Sequence, residues 1–146
     1  MKLTSNFSLE ELSFTEHREF DNTPPPEVIP NRKRLAMVLE QVRALVNNKP
    51  VVVNSAFRGL NVNRAVGSSD GSQHRLGCAA DIRVPEMEPE MVLQAIKASN
   101  IQYDQLIREF DAWVHISVPS IEGEAPRKMV LIIDKQGTRA YAAKSN

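Results

Sequence analysis

Gln105-Leu106-Ile107-Arg108-Glu109-Phe110-Asp111-Ala112-Trp113-Val114-His115-Ile116-Ser117-Val118 reads as two strands joined by a turn. Asp111-Ala112 supplies a tight hairpin between Gln105–Phe110 and Trp113–Val118. Side chains alternate across a strand with period two. Trp113, His115 and Ser117 therefore share one face, and Val114, Ile116 and Val118 share the other. The valine-isoleucine face suits a core. The His115 face is left as the working face of a sheet.

Further strands flank this pair. Val51-Val52-Val53 is short and β-branched and reads as a buried strand. Ala79–Val84 reads as another, closed by Pro85, and Lys128–Asp134 as a last one. Between them lie a polar loop, Ser68–Ser72, and one or two helical turns over Leu60–Val66, stopped by Gly67. The main helix spans Glu27–Val46. Val28, Leu35, Val38, Leu39, Val42, Leu45 and Val46 recur at helical spacing, while Arg32, Lys33, Arg34, Gln41 and Arg43 fall mainly on other, solvated faces. A second helix spans Pro89–Ser99, with Met91, Val92, Ala95 and Ile96 inward. Helices first, then strands mixed with helices, predict an α+β fold: a mostly antiparallel sheet packed on one long helix plus shorter ones.

The N-terminal part, Met1–Pro26, reads as a short helix and a proline connector. Ser8 and Glu11 have capping-box spacing, and Pro24-Pro25-Pro26 cannot continue a helix. Lys135–Asn146 follows a turn signal at Lys135-Gln136-Gly137 and is expected to fray. A chain of 146 residues, 42% apolar and 25% charged, predicts one globular domain over 1–146.

The 18 basic and 18 acidic residues cancel, so no global field draws the chain to nucleic acid. Met1–Glu11 carries Lys2, Asn6, Glu10 and Glu11 among its apolar residues and lacks the run of a signal peptide. No stretch approaches the ~20 apolar residues that span a bilayer. These features predict synthesis in a cytoplasm, no nucleic-acid partner and no membrane insertion. The single cysteine, Cys78, forms no intramolecular disulfide and reads as a small buried thiol.

Two of the three histidines occupy unusual settings. His74 lies between a polar loop and a strand, and His115 lies inside an apolar strand. Asp81 sits within the apolar run Ala79–Val84, where an unpaired charge is costly. Two readings stand on the residues alone. Asp81 pairs with Arg83, two positions along the same face, or it joins His74 and His115 around a cation. Two nitrogens, one oxygen and an open fourth position are the donor set of catalytic zinc.

Ser72-Gln73-His74-Arg75-Leu76-Gly77-Cys78-Ala79-Ala80-Asp81 resembles the Ser-x-His-x-x-Gly-x-Ala-x-Asp signature of the D-Ala-D-Ala metallopeptidases. That family includes zinc carboxypeptidases, dipeptidases and phage endolysins, and is structurally akin to the hedgehog signalling domain. Trp113–Ser117 resembles its second histidine motif, and Asn54–Asn61 its upstream Ser-Gly-Tyr-Arg-Ser-x-x-Asn segment. Phe7–Leu12 resembles the start of a compact phage and prophage branch.

The resemblance implies one zinc per chain, held by His74, Asp81 and His115, and hydrolysis of a peptidoglycan peptide bond. Many relatives place an acid three residues before the last histidine, where this chain has Ala112. Carboxypeptidase-type relatives place a histidine two before it, where this chain has Trp113. Glu109 stands where the hedgehog-type sites and the phage branch carry a glutamate, and is the favoured general base, with Asp111 the lower-ranked alternative. An unreactive Glu109 would instead pair with Arg108 or Arg127. Arg58 is expected to contact substrate or stabilise charge beside the zinc, or else to form a structural ion pair. Ser72 either binds the substrate backbone or caps its loop. Trp113 either walls the substrate cleft or packs in the core.

The implied partners are peptidoglycan stem peptides, together with a phage pore protein or virion component that brings the protein to the wall. Two other functions compete. One is a non-catalytic, zinc-containing binding or virion-structural module, the other a cytoplasmic dipeptidase acting on free D-Ala-D-Ala.

Overall fold

The computed structural model describes residues 1–69 and 71–142. Its helices are α1 (Ile29–Leu45), α2 (Leu60–Ala65) and α3 (Pro89–Lys97). Its strands are β1 (Val52–Ser55), β2 (Ala79–Arg83), β3 (Gln105–Glu109), β4 (Trp113–Ser117), β5 (Met129–Asp134) and β6 (Gly137–Ala140). One six-stranded sheet runs in the order β1-β2-β4-β3-β5-β6. All pairs are antiparallel except β3 with β5, because the chain leaving β4 crosses β3 before pairing on its far side. This is the expected α+β arrangement.

The helical layer covers one face of the sheet. Leu35, Leu39 and Val42 of α1 and Val92, Leu93 and Ile96 of α3 pack in one core with Ala80, Ile82, Leu106, Val114 and Ile116. Alternation does what the sequence predicts: Val114, Ile116 and Val118 go inward. Burying each such side chain contributes about 1.5–3 kcal/mol. On α3 the inward set differs from expectation. Met91 is 55% exposed, and Leu93 and Glu90 are buried instead. Glu90 is tolerated there because it binds Arg108 of β3 and accepts the Tyr141 hydroxyl at 2.8 Å.

The turn of the β3–β4 hairpin contains three residues, Phe110–Ala112, rather than the expected two. Phe110 and Asp111 both adopt left-handed backbone, with φ of 54° and 50°. Glu109 therefore pairs with Trp113, and Ile107 with His115. The extra residue decides which way Glu109 faces. A two-residue turn would pair Phe110 with Trp113 and rotate Glu109 to the core face.

The N-terminal segment forms a 3-10 turn at Glu11–Ser13 rather than an α-helix. Half of the capping box is present: the Glu11 amide donates to Ser8 Oγ at 3.1 Å. Phe7 and Leu12 are buried against the body. This segment also corrects the reading of α1. Arg32, expected on a solvated face, is fully buried. Its guanidinium donates to Ser13 Oγ at 3.1 Å and the Leu9 carbonyl at 3.3 Å, and lies 5.5 Å from the Phe57 ring centre. Burial pushes its pKa down to about 10, which leaves it charged at neutral pH.

Gly77, between His74 and Asp81 in sequence, packs on Arg32. Its φ is +75°, and a Cβ there would stand 2.8 Å from Arg32 Cδ and 3.2 Å from the Val28 carbonyl. Gly77→Ala is expected to lose about 1–3 kcal/mol of stability, through left-handed strain and the clash together. Urea unfolding at fixed m-value reads that loss; an unchanged midpoint would show that the loop tolerates the methyl group.

The C-terminal expectation is corrected in part. Gly137–Ala140, read as fraying, pairs with β5 as β6, tied by Arg139 to Asp134 at 2.7 Å. All four residues are exposed, so the strand leaves no apolar pattern in the sequence. Residues 143–146 lie outside the described residues. No helix among the described residues is long and apolar enough to cross a membrane. Cys78 is buried, with its thiol pushed up to about 11 by that burial, so it is not a nucleophile at neutral pH.

Candidate active site

The face of the sheet away from α1 and α3 carries the polar residues. Register aligns Ser55 of β1, Asp81 of β2, His115 of β4 and Ile107 of β3 in one row. Glu109 and Trp113 occupy the adjacent row. The segment after β1 folds over this face, and the Arg58 amide donates to the His74 carbonyl at 3.1 Å. His74 thereby meets two strands from which it is separated along the chain.

His74, Asp81 and His115 converge, all three buried. Asp81 Oδ1 lies 3.3 Å from His74 Nε2 and 3.0 Å from His115 Nδ1. The two imidazoles stand edge to face, 5.1 Å between centres. Burial opposes ionisation of Asp81, but its close contacts with His115 and His74 outweigh it and hold the carboxyl far below its usual range. Burial holds the pKa of His74 below its ordinary value, so its imidazole is the neutral, ligating form. His74 Nδ1 lies 2.7 Å from the Ala56 carbonyl, which fixes that nitrogen as the donor and leaves Nε2 with a free lone pair.

This donor set fits zinc. Ligands about 2.0–2.1 Å from a tetrahedral ion lie roughly 3.3 Å apart, and Asp81 Oδ1 stands 3.3 Å from His74 Nε2 and 3.0 Å from His115 Nδ1. The three ligating atoms fall within 4.8 Å of one another. His74 has the backbone-carbonyl partner that metal-binding histidines commonly have.

Arg58, not Arg83, is the cation beside Asp81. Arg58 Nη2 is 3.5 Å from Asp81 Oδ2, whereas Arg83 is exposed at the end of β2. Arg58 is itself buried and held on three sides. Nε donates to Ser55 Oγ at 3.1 Å, and Nη1 to Ser68 Oγ at 2.8 Å and to Asn63 Oδ1 at 3.5 Å. Burial lowers its pKa, and the charges of Asp81 and Glu109 oppose that shift. Ser55, Asn63 and Ser68 were not singled out from the sequence; short polar side chains in a loop carry no periodic signal.

Glu109 faces the cluster. Its Oε1 lies 3.8 Å from His115 Nδ1, and its Oε2 accepts the Trp113 indole N–H at 3.0 Å. Burial first, and the Asp81 charge second, raise its pKa above the ordinary glutamate value. It pairs with neither Arg108 nor Arg127. Arg108 binds Glu90 and Asp111 on the opposite side of the sheet, and Arg127 binds Asp104. Asp111 is thus at the hairpin turn, its side chain 53% exposed and 3.0 Å from Arg108 Nε, away from the histidines.

Trp113 is half-buried and belongs neither to the buried core nor to the residues that line the cleft: its indole N–H holds the Glu109 carboxylate, and its ring lies tilted, 5.8 Å from that of Phe110. Ser72 Oγ accepts the His74 amide at 3.2 Å, shaping its loop while lining the cleft. That cleft, of about 460 Å³, opens over His74, His115, Glu109 and Arg58.

A desolvated carboxylate beside a two-histidine, one-aspartate cluster, under an open cleft, is an arrangement that suits a metallopeptidase. Residues 5–117 match the family model for Peptidase M15, and the chain belongs to that family of zinc peptidases. The matched span contains all three cluster residues, Arg58 and Glu109. No curated protein matches the sequence.

Proposed function

We propose that the protein is a zinc-dependent peptidase that hydrolyses a peptide bond of bacterial peptidoglycan, of the compact kind that phages and prophages encode. The observation that carries the reading is Glu109 on the same sheet face as His74, Asp81 and His115, with its Oε1 3.8 Å from His115 Nδ1. Membership of Peptidase M15 supports it. So does the N-terminal segment that resembles the phage branch, whose Phe7 and Leu12 are core residues.

Bound zinc supplies a Lewis acid for the scissile carbonyl and lowers the pKa of water at the site. Glu109 takes a proton from the attacking water and returns it to the departing amine. Its raised pKa suits both halves of that task, since a base poised nearer neutrality also gives its proton back. Trp113 orients the carboxylate through its indole N–H. Arg58 holds the outer oxygen of Asp81 and contributes positive charge to the cleft. Ser72 fixes the turn that presents His74. A pore protein or a virion brings the protein to the wall.

Arg58→Lys is expected to lose roughly 10- to 100-fold in activity, the usual cost of losing a partner behind a metal ligand. Lysine cannot reach Ser55, Ser68 and Asp81 together. Zinc content measured alongside turnover tests the assignment: full activity in this variant would reduce Arg58 to packing. The function itself is tested by zymography on purified cell walls, with chelator and with zinc restored. Clearing that disappears and returns with zinc is the expected result. A zinc-loaded protein that clears no wall, yet binds it, would make the protein a binding module.

A further inference from the structure

Asp104 closes β3 at its N-terminal side and is buried. It anchors two residues that line the cleft. Gln73, the neighbour of His74, donates through Nε2 to Asp104 Oδ2 at 3.0 Å. Arg127 donates its backbone amide at 3.0 Å, Nε at 3.1 Å to both carboxylate oxygens, and Nη2 at 2.7 Å. The Arg127 guanidinium holds the Asp104 carboxyl down to about 2.

One pole of this pair is hidden and the other is not. Asp104 is 4% exposed, and its oxygens are spent on Gln73 and Arg127. The Arg127 side chain is 53% exposed and lines the same cleft as Glu109 and His115. Its Nη1 makes no hydrogen bond among the described residues. The cleft thus meets a rigid, positively charged edge with donors to spare. Guanidinium held on one edge by a buried carboxylate is preorganised to take a second carboxylate on the other. Arg58 cannot serve this purpose as well, since Ser55, Asn63, Ser68 and Asp81 occupy it.

We propose that Arg127 is a substrate-recognition residue that binds a free carboxylate of the peptide, and so selects acidic over amidated stem peptides. This rests on the peptidase reading for its substrate, but not for its test. The β5 side of the cleft, where Arg127 stands, would hold the acidic residue while the scissile bond lies over β2 and β4.

The test uses two peptides, L-Ala-D-Glu-L-Lys amide with the free glutamate carboxyl and the same peptide with that carboxyl amidated. Binding to zinc-loaded Glu109→Gln protein is measured by calorimetric titration, and KM and kcat are measured with the wild type. The free carboxylate is expected to bind roughly tenfold more tightly, with the difference in KM rather than kcat and weakening with added salt. Arg127→Gln should bring the ratio close to one. Arg127→Lys keeps a charge on Asp104 but no second fork edge, and should lower the ratio severalfold. Equal KM for the two peptides in the parent protein, or equal binding of both by Glu109→Gln, overturns the proposal. An undiminished ratio in Arg127→Lys overturns it as well. Preferential binding without cleavage would contradict the peptidase reading and leave this one standing; cleavage of both peptides with equal KM would do the reverse.

Discussion

Glu109→Gln is expected to retain fold and zinc while losing about 100- to 10,000-fold in the rate of peptide hydrolysis. The amide matches the carboxylate in shape and still accepts the Trp113 indole N–H, so the 3.0 Å contact survives. What it cannot do is take a proton. In the parent protein, the acid limb of kcat/KM should lie above the ordinary glutamate range, because burial and the Asp81 charge raise the Glu109 pKa. The base must be ionised, so activity falls as pH drops through that value. Asp111→Asn is the control: its carboxylate pairs with Arg108 beyond the sheet and should matter by no more than a few-fold. A dead Asp111→Asn beside an active Glu109→Gln would reverse the assignment.

The second large effect is on the metal. Purified protein should carry about one zinc per chain. His115→Ala should lose it, by more than the roughly 10- to 100-fold that an outer partner costs. Two imidazoles and one carboxylate are the whole protein donor set, and removing one leaves too few ligands for a catalytic site. His17, the remaining histidine, lies 3.4 Å from Glu19 near the N-terminus, and His17→Ala should keep zinc. Metal analysis that finds equal zinc in both variants would place the ion elsewhere.

The sheet and its working face were legible in the sequence because they are written in burial. Val114, Ile116 and Val118 alternate with Trp113, His115 and Ser117, and no other period fits. The cluster was legible only in part: His115 and Asp81 stand out inside apolar strands, but the residues alone left Arg83 as a partner for Asp81, and the resemblance to the metallopeptidases joined His74, Asp81 and His115. Other features were not, for reasons of geometry. The Arg58–Asp81 contact joins two loops and strands whose approach no local pattern encodes; Arg83, two residues away, was the nearer candidate on paper. Arg32 appeared solvated because periodicity sees one covering layer, and here the N-terminal segment supplies a second. The direction of Glu109 depended on one added turn residue, held by the Phe110 amide donating to the Ile133 carbonyl at 2.8 Å on β5.

The role of zinc at His74, Asp81 and His115 in cutting wall peptides is tested most directly by mass spectrometry of fragments released from purified sacculi. Zinc-loaded protein should release muropeptides with new peptide termini, each cut adding one water, and neither metal-free protein nor Glu109→Gln should release them. Fragments cut only in the glycan, or an identical set of peptides from the metal-free protein, would contradict the account.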